Sequence, residues 1–456
     1  MQVVIAIPEL PIEASLFELL DILELPDQTE KYLLRPVAGV PLLARVLATA
    51  GKAGADRVLL IWPSSVSSYV RERVFESKLM RGLEVVTVLS EEAFDPTISA
   101  NWENLKIHLS PEFLWLPWNW VTTKPCLSGL KPMPVSLADW RKPVLIDGND
   151  ITRDTTSSAP SNRCAEGIAV ISRETAREAE RFLIARSGKA LDGIHTGFNR
   201  YLCRPVVRWL SHTRITPNQV SFSGLFVALL SCWAFAQGTY FWYVLGAFLF
   251  FIAGLFDEMD GMLARIKFAD SPFGTWLEGF IDGASYLLLF AGTAVGLYKQ
   301  NGGSELLVGA ALLIGTVLAI VVTSLMRTRG APVDRPNEYL GNFYQLLEKD
   351  SSNWISRVSR QIQAFMKRGV MIHYVLIFTL LHGLRVFFYI SAFSSHLTWI
   401  LALYFNRRFF QSPYRAIQVP TRTKGLKHYE STHLSCGAGN PPTADSRPAS
   451  KMSHSS

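Results

Sequence analysis

Four carboxylates stand out by spacing in the stretch FDEMDGMLARIKFADSPFGTWLEGFIDG, residues 256–283. Asp257 and Asp260 are three apart, and Glu278 and Asp282 are four apart, so each pair shares one face if its segment is helical. Gly261 and Ala264 continue the first face, and both are small enough to let a ligand or a neighbouring helix reach the backbone. Four acids at one level repel each other and are driven towards protonation unless cations hold them. Hard oxygen ligands of this kind suit Mg²⁺ or Mn²⁺. Two such ions can clamp a pyrophosphate and stabilise charge on the attacking and leaving oxygens of a phosphoryl transfer. A carboxylate not saturated by metal can take the proton of an attacking hydroxyl. Arg265 adds a phosphate partner or a counter-charge for the acids.

The elements that must position these residues are apolar. Six hydrophobic segments are read at 219–236, 240–260, 274–297, 304–326, 368–384 and 386–405. A span needs about 20 residues, and the last two segments are barely long enough. The acids fall where the second segment leaves the apolar phase and the third enters it. Loops on that side carry Arg265 and Lys267, then Arg327, Arg329, Arg335, Lys349, Arg357, Arg360, Lys367 and Arg368. The opposite turns hold only Lys299 and Arg385, so the basic bias places both termini in the cytoplasm. Residues 186–214 form a basic, amphipathic connector, with Arg200, Arg204 and Arg208 interleaved with Phe198, Leu202, Val206 and Trp209. Such a segment lies at a membrane interface. A transporter would place acids near mid-bilayer on broken helices, and interhelical polar glue is the structural alternative.

The bulk numbers agree with a membrane protein behind a soluble domain. The chain has 456 residues, 18% charged and 49% apolar, with a net charge of +7 and a mean hydropathy of +0.18. No nucleic-acid-binding signature accompanies the basic residues. The five cysteines are scattered without metal or disulfide spacing. The N-terminus lacks the basic start of a signal peptide. Residues 1–185 read as an α/β domain: strands at Gln2–Ile7, Arg57–Trp62, Leu83–Leu89, Pro143–Ile146 and Gly167–Ile171, with a helix over Val40–Ala53. The Pro- and Trp-rich stretch from Glu91 to Trp140 has no clear periodicity. Residues 407–456 begin basic and become a Ser-, Pro- and Gly-rich tail, expected to be disordered. Four parts follow: a soluble domain (1–185), a connector (186–214), a membrane domain (215–406) and the tail.

The spaced acids resemble the signature of the CDP-alcohol phosphatidyltransferase family, D-x2-D-G-x2-A-R-x8-G-x3-D-x3-D. Asp257, Asp260, Gly261, Ala264, Arg265, Gly274, Glu278 and Asp282 keep every spacing; Glu278 alone departs in type, standing where the family has Asp. The resemblance implies a six-helix membrane domain. In it Asp257, Asp260, Glu278 and Asp282 hold two Mg²⁺ or Mn²⁺ ions, and Asp282 is also the general base. It implies a CDP site shaped by Gly261, Ala264, Arg265 and Gly274, a CDP-alcohol donor, a hydroxyl acceptor and a homodimer in the membrane. Thr216, Pro217 and Asn218 resemble the TPN that precedes the first span in the family. Gly283 stands where inositol-phosphate-using relatives often carry Arg. Arg327 and Arg329 are read as acceptor-binding residues or as membrane anchors.

The N-terminal part resembles the nucleotidyltransferase-like, Rossmann-like domain of fused enzymes of inositol phosphate metabolism. Arg35 to Ile61 carries the likeness, as do Ile146 to Asp150 and Ala165 to Ser172. The Gly-rich loop expected after the first strand reads PELPIEASLF instead, and the Lys of the family's turn is Val40. Triphosphate binding needs those backbone N–H groups, so the domain is read as degenerate. The expectation is therefore transfer of a phosphoalcohol group from a CDP-alcohol to a hydroxyl with release of CMP. The alternatives are a bifunctional enzyme with an active cytidylyltransferase domain and an inactive membrane scaffold.

Overall fold

The structure is a computed structural model. It describes residues 1–7, 33–64, 72, 74–75, 78–80, 82–90, 94–128, 130, 132–133, 140–147, 166–188, 194–330, 343, 345–347, 349–350, 353–363, 368–409 and 432–434. The loop at 8–17, Asp150, Asp192 and Gly193 lie outside these residues, as does the tail apart from Thr432–Leu434.

The N-terminal part is an α/β layer. Its strands are β1 (Gln2–Ala6), the β2 (Pro36–Val37) and β3 (Val40–Pro41) hairpin, β4 (Arg57–Pro63), β5 (Glu84–Ser90), β6 (Glu112–Trp115), β7 (Trp120–Thr122), β8 (Pro132–Met133), β9 (Val144–Asp147) and β10 (Gly167–Ala169). Six of these and β11 (Thr432–Leu434) form a seven-stranded sheet in the order β11-β5-β4-β1-β6-β9-β8, while β2–β3 and β7–β10 are separate two-stranded sheets. β1 pairs in parallel with β4 on one side and β6 on the other, so the order reverses at β1; β9 runs antiparallel to β6, and β8 runs parallel to β9. The strand expected at Gly167–Ile171 leaves this sheet and pairs with β7. Along β1 the side chains alternate. Val3 and Ile5 join the core on one face; Val4 and Ala6 join a second core on the other. The second core explains the unassigned Trp-rich stretch. Trp102 stacks on Trp140 with centroids 5.3 Å apart, and Trp115 donates from Nε1 to the Trp140 carbonyl at 2.9 Å.

The first face is covered by α1 (Leu42–Lys52) and α4 (Arg173–Arg186), with the short α3 (Lys124–Ser128) beside them, while the short α2 (Ser99–Glu103) places Trp102 in the second core. α4 starts on a capping box between Ser172 and Thr175. The connector is the helix α5 (Ile194–Ser211), whose Phe198, Tyr201 and Trp209 are exposed. Then come α6 (Pro217–Phe235), α7 (Tyr240–Ile266), α8 (Pro272–Asn301), α9 (Ser304–Gly330), α10 (Trp354–Gln363), α11 (Arg368–Leu380) and α12 (Leu384–Phe409).

Five of these, α6, α7, α8, α9 and α12, are long and apolar enough to cross a membrane. The segment expected at 368–384 is the exception. α11 has 13 residues, about 20 Å at 1.5 Å per residue, against a hydrocarbon core of about 30 Å. Its contacts nevertheless run the depth of the bundle. Gly369 receives Asn199 Nδ2 at 3.1 Å beside Glu258, and the Leu380 carbonyl receives the Tyr240 hydroxyl at 3.1 Å. The amphipathic α10, in the basic loop before α11, is an element that the apolar-segment reading did not resolve.

The α/β layer and the bundle share one core. Met259, Met262, Leu263 and Ile266 of α7 are buried in the same cluster as Val3, Ile5, Leu43 and Leu47. Each buried side chain of this size contributes about 1.5–3 kcal/mol. The boundary near residue 185 is therefore one of sequence and not of packing. Around that core the α7–α8 turn is gripped from the soluble side. Lys52 pairs with Asp270, and Arg45 and Lys52 each stand 5.2 Å from the Phe268 ring. Arg45 is buried and gives Nε and Nη2 to the Val37 carbonyl; burial pushes its guanidinium down to about 9, and Glu180 opposes the shift. Gly39, at φ +76° in the β2–β3 turn, rests against α5: a Cβ there would meet the Ser211 carbonyl oxygen at 2.0 Å. Gly39→Ala is expected to cost about 2 kcal/mol, from strain at positive φ and overpacking. The thermal midpoint in detergent should fall by several degrees, and an unchanged midpoint would show that this turn does not seat the soluble layer on α5.

Candidate functional site

The acidic stretch of the sequence spans the end of α7 and the start of α8. Asp257, Asp260, Gly261, Ala264 and Arg265 lie on α7; Gly274, Glu278 and Asp282 lie on α8. The turn between them is tight. Ser271 caps α8 by accepting the Gly274 N–H at 2.9 Å, and Pro272 occupies the first helical position. α7 and α8 both pack along α6, and only weakly on each other. α6 is therefore the shelf that fixes the two acidic pairs.

The start of α6 is built for that task. Thr216 and Gln219 form a reciprocal capping box with Pro217 at the first position. Asn218 Oδ1 lies 3.5 Å from the point where a Cβ on Gly274 would stand, so the absent side chain leaves space for Asn218. One turn on, Ser221 donates its hydroxyl to Asp260 Oδ2, and both groups are buried. Ser221 escaped the reading of the sequence; its only signal is its place one turn beyond Asn218.

Arg265 sits among the acids. Its Nε donates to the Ser187 carbonyl at the end of α4, and Nη1 lies 3.3 Å from the position of a Cβ on Gly261. Gly261 thus leaves room for the guanidinium to fold back along α7. The group lies within electrostatic range of Glu278, Glu258 and Asp270 and of a second cation, Arg200. Two residues further, Lys267 Nζ donates to the carbonyls of Leu210, Thr213 and Ile215 at 3.0, 2.7 and 3.0 Å. Burial pushes its ammonium below the usual range, and the three carbonyls hold the charged form in place.

Glu258 was also not singled out by spacing. It pairs with Arg200 of α5 at 3.0 Å, with side chains only 13% and 10% exposed, and ties the connector to α7 beside Asp257. Cys203, one turn from Arg200, is buried, and its thiol is pushed up to about 12 by burial first and then by Glu258, against Arg200. It is not a nucleophile at neutral pH.

On α8, Asp282 is half-buried with Oδ1 shielded from solvent. Tyr286, one turn on, lies within electrostatic range of Asp257 on α7. Gly283 is buried against α9: a Cβ there would stand 3.1 Å from Ile320 Cδ1. An arginine at this position would have to displace Ile320. Arg327 and Arg329 fall on the last turn of α9, and their side chains lie outside the described residues.

The donor set is right for a hard divalent cation, with two carboxylates on one face of each helix and Asp260 oriented by a hydroxyl. Among the described residues no three Asp, Glu, His or Cys side chains converge on one point at metal-binding distance. The two acidic pairs stand on separate helices, both packed along α6.

Apolar helices ending in paired carboxylates beside a capped TPN turn define a membrane enzyme that handles phosphate groups. Residues 214–405 match the model of the CDP-alcohol phosphatidyltransferase family. The chain is also 26% identical over 236 residues to a bifunctional IPC transferase and DIPP synthase of Aquifex aeolicus (strain VF5). That match covers 51% of this chain and 48% of the relative, so the chain spans about half of that protein's length. An uncharacterized protein of the same organism is 26% identical over 175 residues, 38% of this chain and 81% of its own.

Ser221→Ala removes the buried donor to Asp260 and is expected to cost about 1–3 kcal/mol of stability. It should also shrink the rise in thermal midpoint on adding Mn²⁺. A full Mn²⁺ response in the variant would separate Asp260 from the cation site.

Proposed function

We propose that the membrane domain transfers a phosphoalcohol group from a CDP-alcohol to an acceptor hydroxyl and releases CMP. The observation that carries this reading is the placement of the two acidic pairs on α7 and α8, both seated on α6, with Asp260 already oriented by Ser221. The match of residues 214–405 to the CDP-alcohol phosphatidyltransferase family model supports it.

In the reaction the acceptor oxygen bonds to the phosphorus that carries the alcohol. The bridging P–O bond breaks, and the bridging oxygen leaves with CMP. Asp282, half-buried on α8, takes the proton of the attacking hydroxyl. Arg265, tethered by the Ser187 carbonyl, meets phosphate oxygens as charge moves onto the leaving group. Gly261, Ala264 and Gly274 leave backbone open for close approach of the CDP moiety. Asp257, Asp260, Glu278 and Asp282 would hold two Mg²⁺ or Mn²⁺ ions. When bound, these ions neutralise the acids and polarise the pyrophosphate. Arg327 and Arg329, on the last turn of α9, would attract an anionic acceptor.

α11 serves as a short sixth crossing, since its ends contact both the Glu258 level and the Tyr240 level of α7. An even number of crossings, and the pairing of β11 with β5, favour both termini on the cytoplasmic side. The sheet order reversing at β1 supports a Rossmann-like, nucleotidyltransferase-type ancestry for residues 1–185, with cytidylyltransferase activity lost along with its Gly-rich loop. The enzyme acts in phospholipid or inositol phosphate biosynthesis, and the protein is a homodimer in the membrane.

CMP release by the purified full chain tests the reading. CDP-inositol and CDP-diacylglycerol are offered separately, with Mg²⁺ or Mn²⁺ and a mixture of polyol and polyol phosphate acceptors. Release should depend on metal and fall by about 10²–10⁴-fold in Asp282→Asn. A variant with full rate would remove Asp282 from the role of base. Glu278→Asp restores the family's residue and is expected to keep or raise turnover. Its abolition would mean that the site is rebuilt around the longer acid.

A further inference from the structure

A helix on the surface of a globular protein buries its apolar stripe and turns its polar side outward. α10 does the reverse. Ser356 and Ser359, three apart and therefore on one face, are 0% and 5% exposed. Trp354 and Val358, four apart on another face, are 66% and 41% exposed, and Arg357 beside them is exposed as well. Ile355, between the two faces, packs partly against the apolar cluster of Val322, Met326, Leu347 and Phe405.

A polar clasp fixes the helix in this sense. Asn353, just before it, donates Nδ2 to the Tyr404 hydroxyl at 2.7 Å and accepts the Ile355 N–H on Oδ1 at 3.0 Å. Ser356 donates its hydroxyl to Asp350 Oδ2 at 2.7 Å. Arg408 grips both oxygens of the same carboxylate, Nη2 to Oδ1 at 2.7 Å and Nε to Oδ2 at 2.9 Å. Arg408 first and Ser356 second hold the Asp350 carboxyl down to about 2, so the clasp stays charged at neutral pH. With its serine face tied to the end of α12, α10 cannot roll to hide Trp354.

The helix also lies at a defined level. It falls between α9 and α11, and α11 starts at Gly369, beside Glu258 of the acidic end of α7. The clasp joins it to Tyr404 and Arg408, at the same end of the bundle. At a bilayer edge an indole settles among the headgroups, and a guanidinium meets lipid phosphate oxygens. Lys349 and Arg407, the neighbours in sequence of the clasp residues Asp350 and Arg408, are exposed and extend the basic rim. A basic rim beside exposed apolar side chains complements a negatively charged lipid surface.

We propose that α10 lies along the bilayer surface at the acidic end of the bundle and binds anionic phospholipid through Trp354, Val358 and Arg357. The proposal rests on the bundle spanning a membrane and not on the phosphotransfer reading.

Hydrogen–deuterium exchange of the full chain tests it, in nanodiscs of phosphatidylcholine with and without phosphatidylglycerol. The backbone amides of α10 are expected to exchange at least fivefold more slowly with phosphatidylglycerol present, and the difference should shrink as salt rises. Arg357→Glu, at an exposed position, should abolish the difference while leaving the thermal midpoint in phosphatidylcholine unchanged. Trp354→Ser should raise exchange in both kinds of disc, because the indole seats the helix whatever the headgroup charge. Equal exchange of wild-type α10 in the two discs overturns the proposal; a second copy of the chain or a protein partner seated on the helix would give that result. Full lipid-dependent protection retained in Arg357→Glu overturns it as well.

Discussion

The end of α7 lies in two environments at once, and the rest of the structure is arranged around that fact. One side of its last two turns is packed into the core of the α/β layer through Met259, Met262, Leu263 and Ile266. The other side carries Asp257, Asp260, Gly261 and Arg265 towards α6 and α8. A helix held this way has little freedom to rotate or slide. A rotation of a few tens of degrees would expose buried methionine or bring carboxylates into the apolar core, and each is costly.

The polar tethers follow the same logic. Ser221 orients Asp260 from α6, and Arg200 neutralises Glu258 from α5. Ser187 holds Arg265 from α4, and Lys267 gathers three carbonyls of the turn that leads into α6. Four elements from different parts of the chain thus meet at eleven consecutive residues of α7 and its exit, 257–267. Two pairs of like charges on neighbouring helices need such bracing, because electrostatic repulsion alone would spread them.

Much of this was legible beforehand, for identifiable reasons. The acidic pairs, the two helices that bear them and the TPN turn are local in sequence, and helical spacing fixes which residues share a face. Strands β1, β4 and β5 are short apolar runs, and these read well. The Trp-rich stretch failed because its order comes from partners across the sheet: Trp102, Trp115 and Trp140 make sense only once β6 and β9 are adjacent. α11 was read as longer than it is, because the apolar run continues through the turn at His382 and Gly383. Ser221 and Glu258 were missed because an isolated serine or glutamate carries no periodic signal; its meaning lies in Asp260 or Arg200, tens of residues away. The shared core was invisible for a related reason. Composition marks a boundary near residue 185, while apolar packing crosses it.

That shared core also bears on how such a chain can change over generations. A soluble domain that merely hung from its connector could be trimmed away once its own chemistry lapsed. Here its first sheet face is the wall against which the acidic helix rests, and Gly39, Arg45 and Lys52 hold the turn that joins the two acidic pairs. A change in the sheet or in α1 is therefore felt at the acidic helix, whatever else the soluble layer does. Positions on the surface that touches α7 carry a constraint that positions remote from it do not.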